Sequence, residues 1–228
     1  MLPDRLKGIF RSSGAAGDSS SLLKGRSAST KESVKEIVTT RTSRGLEQFF
    51  SNIRDQNGLS ILDLGGAVQD NINFVTGLGH RITPQSLVQS LDETFGGSEA
   101  DQSNPSQIDA FLMHNLDYLP DTFDGVLLWD TLQFMSPALV NAVVDRLHFI
   151  VRPKSYMLVY FNSEERAKVS PIYSFRVQDK STLRLIQRGT RPLAQSFNNR
   201  GLEKLFARFD SVKFFLTRES LREIIVRR

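Results

Sequence analysis

The run Ile61-Leu62-Asp63-Leu64-Gly65-Gly66-Ala67 brings an acid to the end of an apolar stretch and follows it with two glycines. That order of residue types suits the reception of a nucleotide-type ligand. Glycines let a backbone come close to a bound group, and a helix beginning just beyond them offers N–H groups not used within the helix. Asp63 either orients a ligand's amino group, through water or the glycine backbone, or caps the turn. A second acid, Asp130, ends the apolar run Phe123-Asp124-Gly125-Val126-Leu127-Leu128-Trp129, where it can orient a nucleophile or accept its proton. His114 reads as a general base or as a hydrogen-bonded residue at a strand end. Tyr160, Tyr173 and Phe175 line a pocket or pack a hairpin. Arg188, Arg191 and Arg200 hold an anion or form a solvated basic face.

These residues need elements to position them. Leu46, Phe49, Phe50 and Ile53 recur at helical spacing, ended by Gln56-Asn57-Gly58. Residues 59–64 read as a strand, and a helix from about Asp70 to Gly79 follows. Arg81-Ile82-Thr83-Pro84 is a short strand, and Leu87, Val88 and Leu91 mark a helix. Residues 95–106 are rich in Gly, Ser, Asp and Pro and read as a loop, after which Ile108–Met113 reads as a third strand. Phe123–Trp129 is a fourth. Pro137 opens a helix carrying Leu139, Val140, Val143, Val144, Leu147 and Ile150, and Tyr156–Phe161 is a fifth strand. Residues 172–177 and 182–186 read as a hairpin, residues 199–209 as a helix, and residues 212–216 and 221–226 as two closing strands. Alternating strands and helices predict a parallel sheet covered on both faces.

Composition sets the bounds. The 228 residues suffice for a full core. With no cysteine, disulfides, thiolate zinc sites and a cysteine nucleophile are excluded, and no metal-ligand set is expected. No apolar run is long enough to span a membrane, and residues 1–25 hold no continuous apolar segment of the secretory kind. The expected location is cytoplasmic. Charge is segregated: residues 1–44 carry a net +5, residues 45–149 a net −11 and residues 150–228 a net +10. A basic segment attracts nucleic acid or another polyanion, but no basic run is interleaved with aromatics as a stacking platform requires. Packing of acidic against basic parts is therefore favoured over nucleic-acid binding. Residues 1–44 predict a disordered, basic, Ser/Gly-rich tail, since Ser12–Ser21 cannot bury enough apolar surface to offset its ordering entropy. Residues 45–228 predict one domain.

In this order of elements the chain resembles the class I S-adenosylmethionine-dependent methyltransferases, over about residues 45–228. Three segments carry the resemblance. Residues 61–65 look like the family's first motif. Phe123–Phe134 looks like its fourth strand and the loop beyond. Leu147–Val159, with Arg152-Pro153, looks like the helix, turn and strand that follow. The resemblance implies a Rossmann-like α/β fold: a doubly wound, mostly parallel, seven-stranded sheet with helices on both faces and an antiparallel last strand, here with a hairpin inserted at about 172–188. It implies S-adenosylmethionine as cofactor and methyl transfer by in-line positioning, for which alignment of acceptor and methyl supplies most of the acceleration. It assigns cofactor contact to Asp63, Gly65, Gly66 and Ala67 in the first motif, and to Gln85 where the family usually places an acid on the ribose hydroxyls. Asn115 and Leu116 fall at the adenine position, and Trp129 and Asp130 where the methyl points, with Asp130 as the catalytic residue. The motif diverges: Ala67 and Gln69 stand where further glycines are usual, and an amide replaces the ribose acid. An Asn-Pro-Pro-Tyr type motif, the sign of amino-group methylation of bases or glutamine, is missing. The expected activity is methyl transfer to an acceptor the sequence does not name, a small molecule being favoured. The alternative is a catalytically inactive descendant acting as a binding or regulatory protein. A nicotinamide dehydrogenase fits the first motif alone and ranks below both.

Overall fold

The apolar runs become the strands of two sheets, a large one and a small one, and amphipathic segments between them fold into helices that cover the large sheet. The computed structural model describes residues 36–96, 101–164, 166–215, 217 and 221–228. Nine strands and six α-helices are formed among these residues. They are β1 (Val38–Thr42), α1 (Arg44–Ile53), β2 (Ser60–Asp63), α2 (Gln69–Gly77), β3 (Arg81–Pro84), α3 (Leu87–Phe95), α4 (Pro105–Asn115) and β4 (Phe123–Trp129), then α5 (Pro137–Ile150), β5 (Val151–Asn162), β6 (Val169–Val177), β7 (Thr182–Pro192), α6 (Asn199–Leu205), β8 (Ser211–Phe215) and β9 (Leu221–Arg227).

The large sheet has the order β3-β2-β4-β5-β9-β8. Its β3, β2, β4 and β5 pair in parallel, while β9 runs antiparallel to both β5 and β8. The chain leaves β2 for β3 on one side and returns to β4 on the other, so crossovers of one hand put their helices on opposite faces. One face packs Leu91 of α3, Phe111 of α4, Leu139 and Val143 of α5 and Leu202 of α6 against Val126, Leu128 and Met157. The other packs Leu46 and Phe49 of α1 and Val75 of α2 against Ile61, Leu127 and Leu158. Successive strand residues thus alternate between two cores, as a two-sided buried sheet demands. The doubly wound fold, the covered faces and the reversed last strand are as the sequence predicts.

The sheet holds six strands rather than seven. Residues 108–113, expected as a third strand, lie inside α4. Asn104 caps that helix, its side-chain oxygen accepting from the Ser106 N–H at 3.0 Å, and Pro105 sits in the first turn where its missing N–H costs nothing. Ile108, Phe111 and Asn115 then face inward at helical spacing. The apolar run was too short to separate a strand from a buried helix by periodicity.

The expected hairpin is present and longer, as β6 and β7. It gains a third strand, β1, which pairs antiparallel with β7 from Val38↔Ile186 to Thr42↔Thr182. Residues 38–42, expected within the tail, are ordered by this pairing and by Arg41, which is buried. The Arg41 guanidinium donates to Glu223 on β9 at 2.9 Å, and the Ser43 hydroxyl donates to the same carboxylate at 3.0 Å. Residues 1–35 of the expected tail lie outside the described residues. No helix among the described residues is long and apolar enough to cross a membrane.

Candidate functional site

The C-terminal ends of β2 and β4 meet where the chain's direction across the sheet reverses, the place where open α/β sheets leave a crevice. The loop after β2 is stitched to its neighbours. Leu64 N–H donates to the Leu127 carbonyl at 2.9 Å, Gln85 N–H to the Asp63 carbonyl at 2.7 Å, and Gly66 N–H to the Gln85 carbonyl at 3.1 Å. Gly66 has φ +95°, which glycine adopts without strain. Gly65 is required for a different reason. A Cβ there would lie 2.6 Å from the Trp129 ring. Gly65 thus makes room for an indole from β4, while a Cβ at Gly66 would meet Ser86 at 3.4 Å.

That indole is tied down. Trp129 Nε1 donates to Asp63 Oδ1 at 2.6 Å, and the Gly65 N–H donates to the same oxygen at 3.0 Å. The other carboxylate oxygen of Asp63 accepts from Asn71 Nδ2 at 2.9 Å. Asn71 in turn holds the hairpin edge, donating to the Phe175 carbonyl and accepting from the Val177 N–H at 2.9 Å. The Trp129 ring stacks on Phe175 at 4.9 Å between centroids. Asp63 is fully buried and has no cation among these partners; burial raises its pKa, and its bonds to Trp129, Asn71 and Gly65 offset part of that rise. It therefore serves as the hub joining β2, β4, α2 and β6.

Above this hub lies a cavity of about 460 Å³, within the range of small-molecule sites. Its floor is Gly65, Gly66 and Ala67, its far wall Trp129 and Asp130, and its roof the Ile172–Phe175 segment of β6. Val68 also lines it and stands at the start of α2 with no side-chain cap. Asp130 is buried, with Gln133 Nε2 3.5 Å from Oδ2, and burial pushes its carboxyl up to about 8. A carboxyl of that kind carries a proton near neutral pH and can take part in proton transfer.

Of the nine residues that the resemblance assigns to cofactor contact or catalysis, the structure gathers Gly65, Gly66, Ala67, Trp129 and Asp130 around one cavity, with Asp63 beneath it; Tyr173, Phe175 and Arg188 line the same cavity. Gln85, Asn115 and Leu116 do not line it. Because residues 108–113 are helical, Asn115 and Leu116 arrive at the end of α4 rather than at a strand end. Leu116 is buried in the core, and Asn115 Oδ1 accepts from Gln85 Nε2 at 2.7 Å, so the two amides satisfy one another. His114 lies in the last turn of α4 and is not a lining residue. Sequence reasoning missed Asn71, Ser86, Gln89 and Asp92. Asn71 and Ser86 had weak signals: an Asn in a first helical turn, and a Ser at a cap position.

No family model matches the chain, and no curated protein matches it. Solved structures do. A 1,6-didemethyltoxoflavin-N1-methyltransferase from Burkholderia thailandensis, with bound 1,6-didemethyltoxoflavin and S-adenosylhomocysteine, is 13% identical, with a TM-score of 0.44 over 81% of this chain and 76% of that one. A TehB-like SAM-dependent methyltransferase from Corynebacterium glutamicum is 10% identical, with a TM-score of 0.44 over 81% and 87%. A SAM-dependent methyltransferase from Methanosarcina mazei is 11% identical, with a TM-score of 0.42 over 76% and 93%. The three motif segments read from the sequence each include one strand of the large sheet, the neighbouring β2, β4 and β5.

Proposed function

We propose that this chain is an S-adenosylmethionine-dependent methyltransferase acting on a small-molecule acceptor. The observation that carries this reading is the cavity over the Gly65-Gly66 turn at the switch point of the sheet, with Asp130 in its wall. The residues present suit the cofactor. The glycine turn allows close approach, the start of α2 presents N–H groups with no side chain capping them, and Asp63 beneath is an acid with no fixed cation at its side. Gly65, Gly66, Ala67 and Ser86 would hold the cofactor, which supplies an activated methyl group when bound. Trp129 and Phe175 form an aromatic wall that excludes water from the reacting end. Asp130 accepts the proton of the acceptor's nucleophile, and does so increasingly as pH rises through about 8.

The test is transfer of a labelled methyl group from S-adenosylmethionine into a pool of small metabolites. Transfer should rise with pH toward the alkaline side of 8. Asp130→Asn should lose transfer while keeping the thermal stabilisation given by S-adenosylhomocysteine. Transfer undiminished in Asp130→Asn would remove Asp130 from the mechanism.

A second reading, a binding protein without activity, is favoured by one specific observation. Both Asp63 oxygens are already bonded within the protein, and Gln85 is spent on Asn115. It predicts no thermal shift with the cofactor and a stable partner in a pull-down.

A further inference from the structure

A second cavity of about 250 Å³ adjoins the first and shares Asp92 and Ile172 with it. Its remaining wall is Phe134, Gln102, Thr190, Arg191 and Pro192. The boundary between the two is an ion pair in which Arg191 Nη1 lies 2.8 Å from Asp92 Oδ1. The pair is lopsided. The Arg191 side chain is 13% exposed and its guanidinium sits 5.9 Å from the centroid of the Phe134 ring, whereas the Asp92 side chain is 62% exposed. The cation is thus fixed by the fold, on β7 and over an aromatic face, while its anion stands in solvent at the rim of α3. Water readily rehydrates an exposed carboxylate, so parting Asp92 from Arg191 costs little. Leaving a largely buried guanidinium without an anion costs more. A guanidinium fork also matches a second carboxylate bidentately.

We infer that the smaller cavity seats the acceptor, that this acceptor carries a carboxylate, and that the carboxylate displaces Asp92 from Arg191. This rests on the methyl-transfer reading for its purpose, though not for its geometry. The acceptor's body lies against Phe134, Ile172 and Pro192, and its far end points past Ile172 into the larger cavity, where Asp130 stands. Burial keeps Asp130 protonated near neutral pH, so it adds no charge to repel an incoming anion. Of the other charged groups on the larger cavity, Arg188 pairs with Glu36 at 2.7 Å.

The experiment titrates the full chain with benzoate and with its neutral counterpart benzamide, with and without S-adenosylhomocysteine. Benzoate should bind and benzamide should bind at least about tenfold more weakly, the difference between a charged and a neutral hydrogen-bonded contact. Arg191→Gln should weaken benzoate about tenfold. Asp92→Asn should tighten it, because it removes the competing anion. Opposite signs are the signature, since a merely structural ion pair would give the same loss from either end. Arg191→Lys, which keeps the charge without the fork, guards against misfolding of the glutamine variant and should bind benzoate with intermediate affinity. Equal binding of benzoate and benzamide, no binding of benzoate in either state, or shifts of the same sign in the two variants would overturn the assignment. Loss of S-adenosylhomocysteine binding with Arg191-dependent benzoate binding intact would instead overturn the cofactor reading alone.

Discussion

Two acids are buried on the same face of the large sheet, and their surroundings differ. Glu223 on β9 is held by the Arg41 cation, the Ser43 hydroxyl and the Gly45 N–H at 2.7 Å, while Ser43 also bonds the Tyr160 hydroxyl at 2.7 Å. That cluster is closed: charge meets charge, and it fastens β1 and α1 to β9. Asp63 on β2 is held only by neutral donors, from Trp129, Asn71 and Gly65, and a cavity lies above it. The difference separates a fastening from a site. A buried acid neutralised in place has nothing to offer a ligand. One held only by neutral donors has no fixed countercharge, and burial raises its pKa.

Breaking the fastening should have the largest effect. Arg41→Ala strands the Glu223 charge in the core and should destabilise the fold by about 3–5 kcal/mol, read from the denaturant midpoint. A loss under about 1 kcal/mol would mean that the hydroxyl and N–H donors suffice for Glu223. Trp129→Phe removes one donor from Asp63 while keeping most of the stacking on Phe175. It should cost about 1–3 kcal/mol, less than the Arg41 variant because no fixed charge is orphaned. An equal or greater loss would erase the contrast between the two clusters. The remaining effect shows only against pH and belongs to Asp130. Its folded pKa of about 8 is above its ordinary value of 3.8, so its neutral form is the one the fold accommodates. The folded chain then binds more protons than the unfolded one between these values, so this group's contribution to stability is complete below the lower one. It falls away as pH rises through the higher one. Melting temperature followed from pH 4 to 9 should decline less steeply in Asp130→Asn than in the wild type; parallel curves would show that Asp130 is not responsible.

Much of this molecule is local in its sequence, and the rest depends on contacts far apart in the chain. Ile61–Gly65, Phe123–Trp129 and the Pro137–Ile150 helix declare themselves by apolar period, glycine and proline, and the sheet order follows from them. Helix α4 reads as a strand because Ile108–Met113 is short and apolar; the Asn104-Pro105 start is the signal for a helix. Strand β1 lies in a Ser/Thr-rich stretch with no apolar alternation and becomes a strand through β7 and Glu223. Within the site, the glycines and Asp130 were legible from type and position. The bond from Trp129 to Asp63 spans 66 residues and the Gln85–Asn115 pair spans 30, separations at which no periodicity reports. The absence of a third strand, which moved Asn115 and Leu116 away from the cavity, follows from α4.

The most direct measurement is a calorimetric titration of S-adenosylhomocysteine into the wild type and Ala67→Glu. Ala67 is exposed on the cavity floor, so the variant fills the site with bulk and charge without touching the Trp129–Asp63 contact, as a side chain at Gly65 would. A cofactor site at this turn predicts saturable micromolar binding to the wild type and loss of that binding in a variant with an unchanged melting temperature. No binding at millimolar ligand, or equal binding to both proteins, would contradict it.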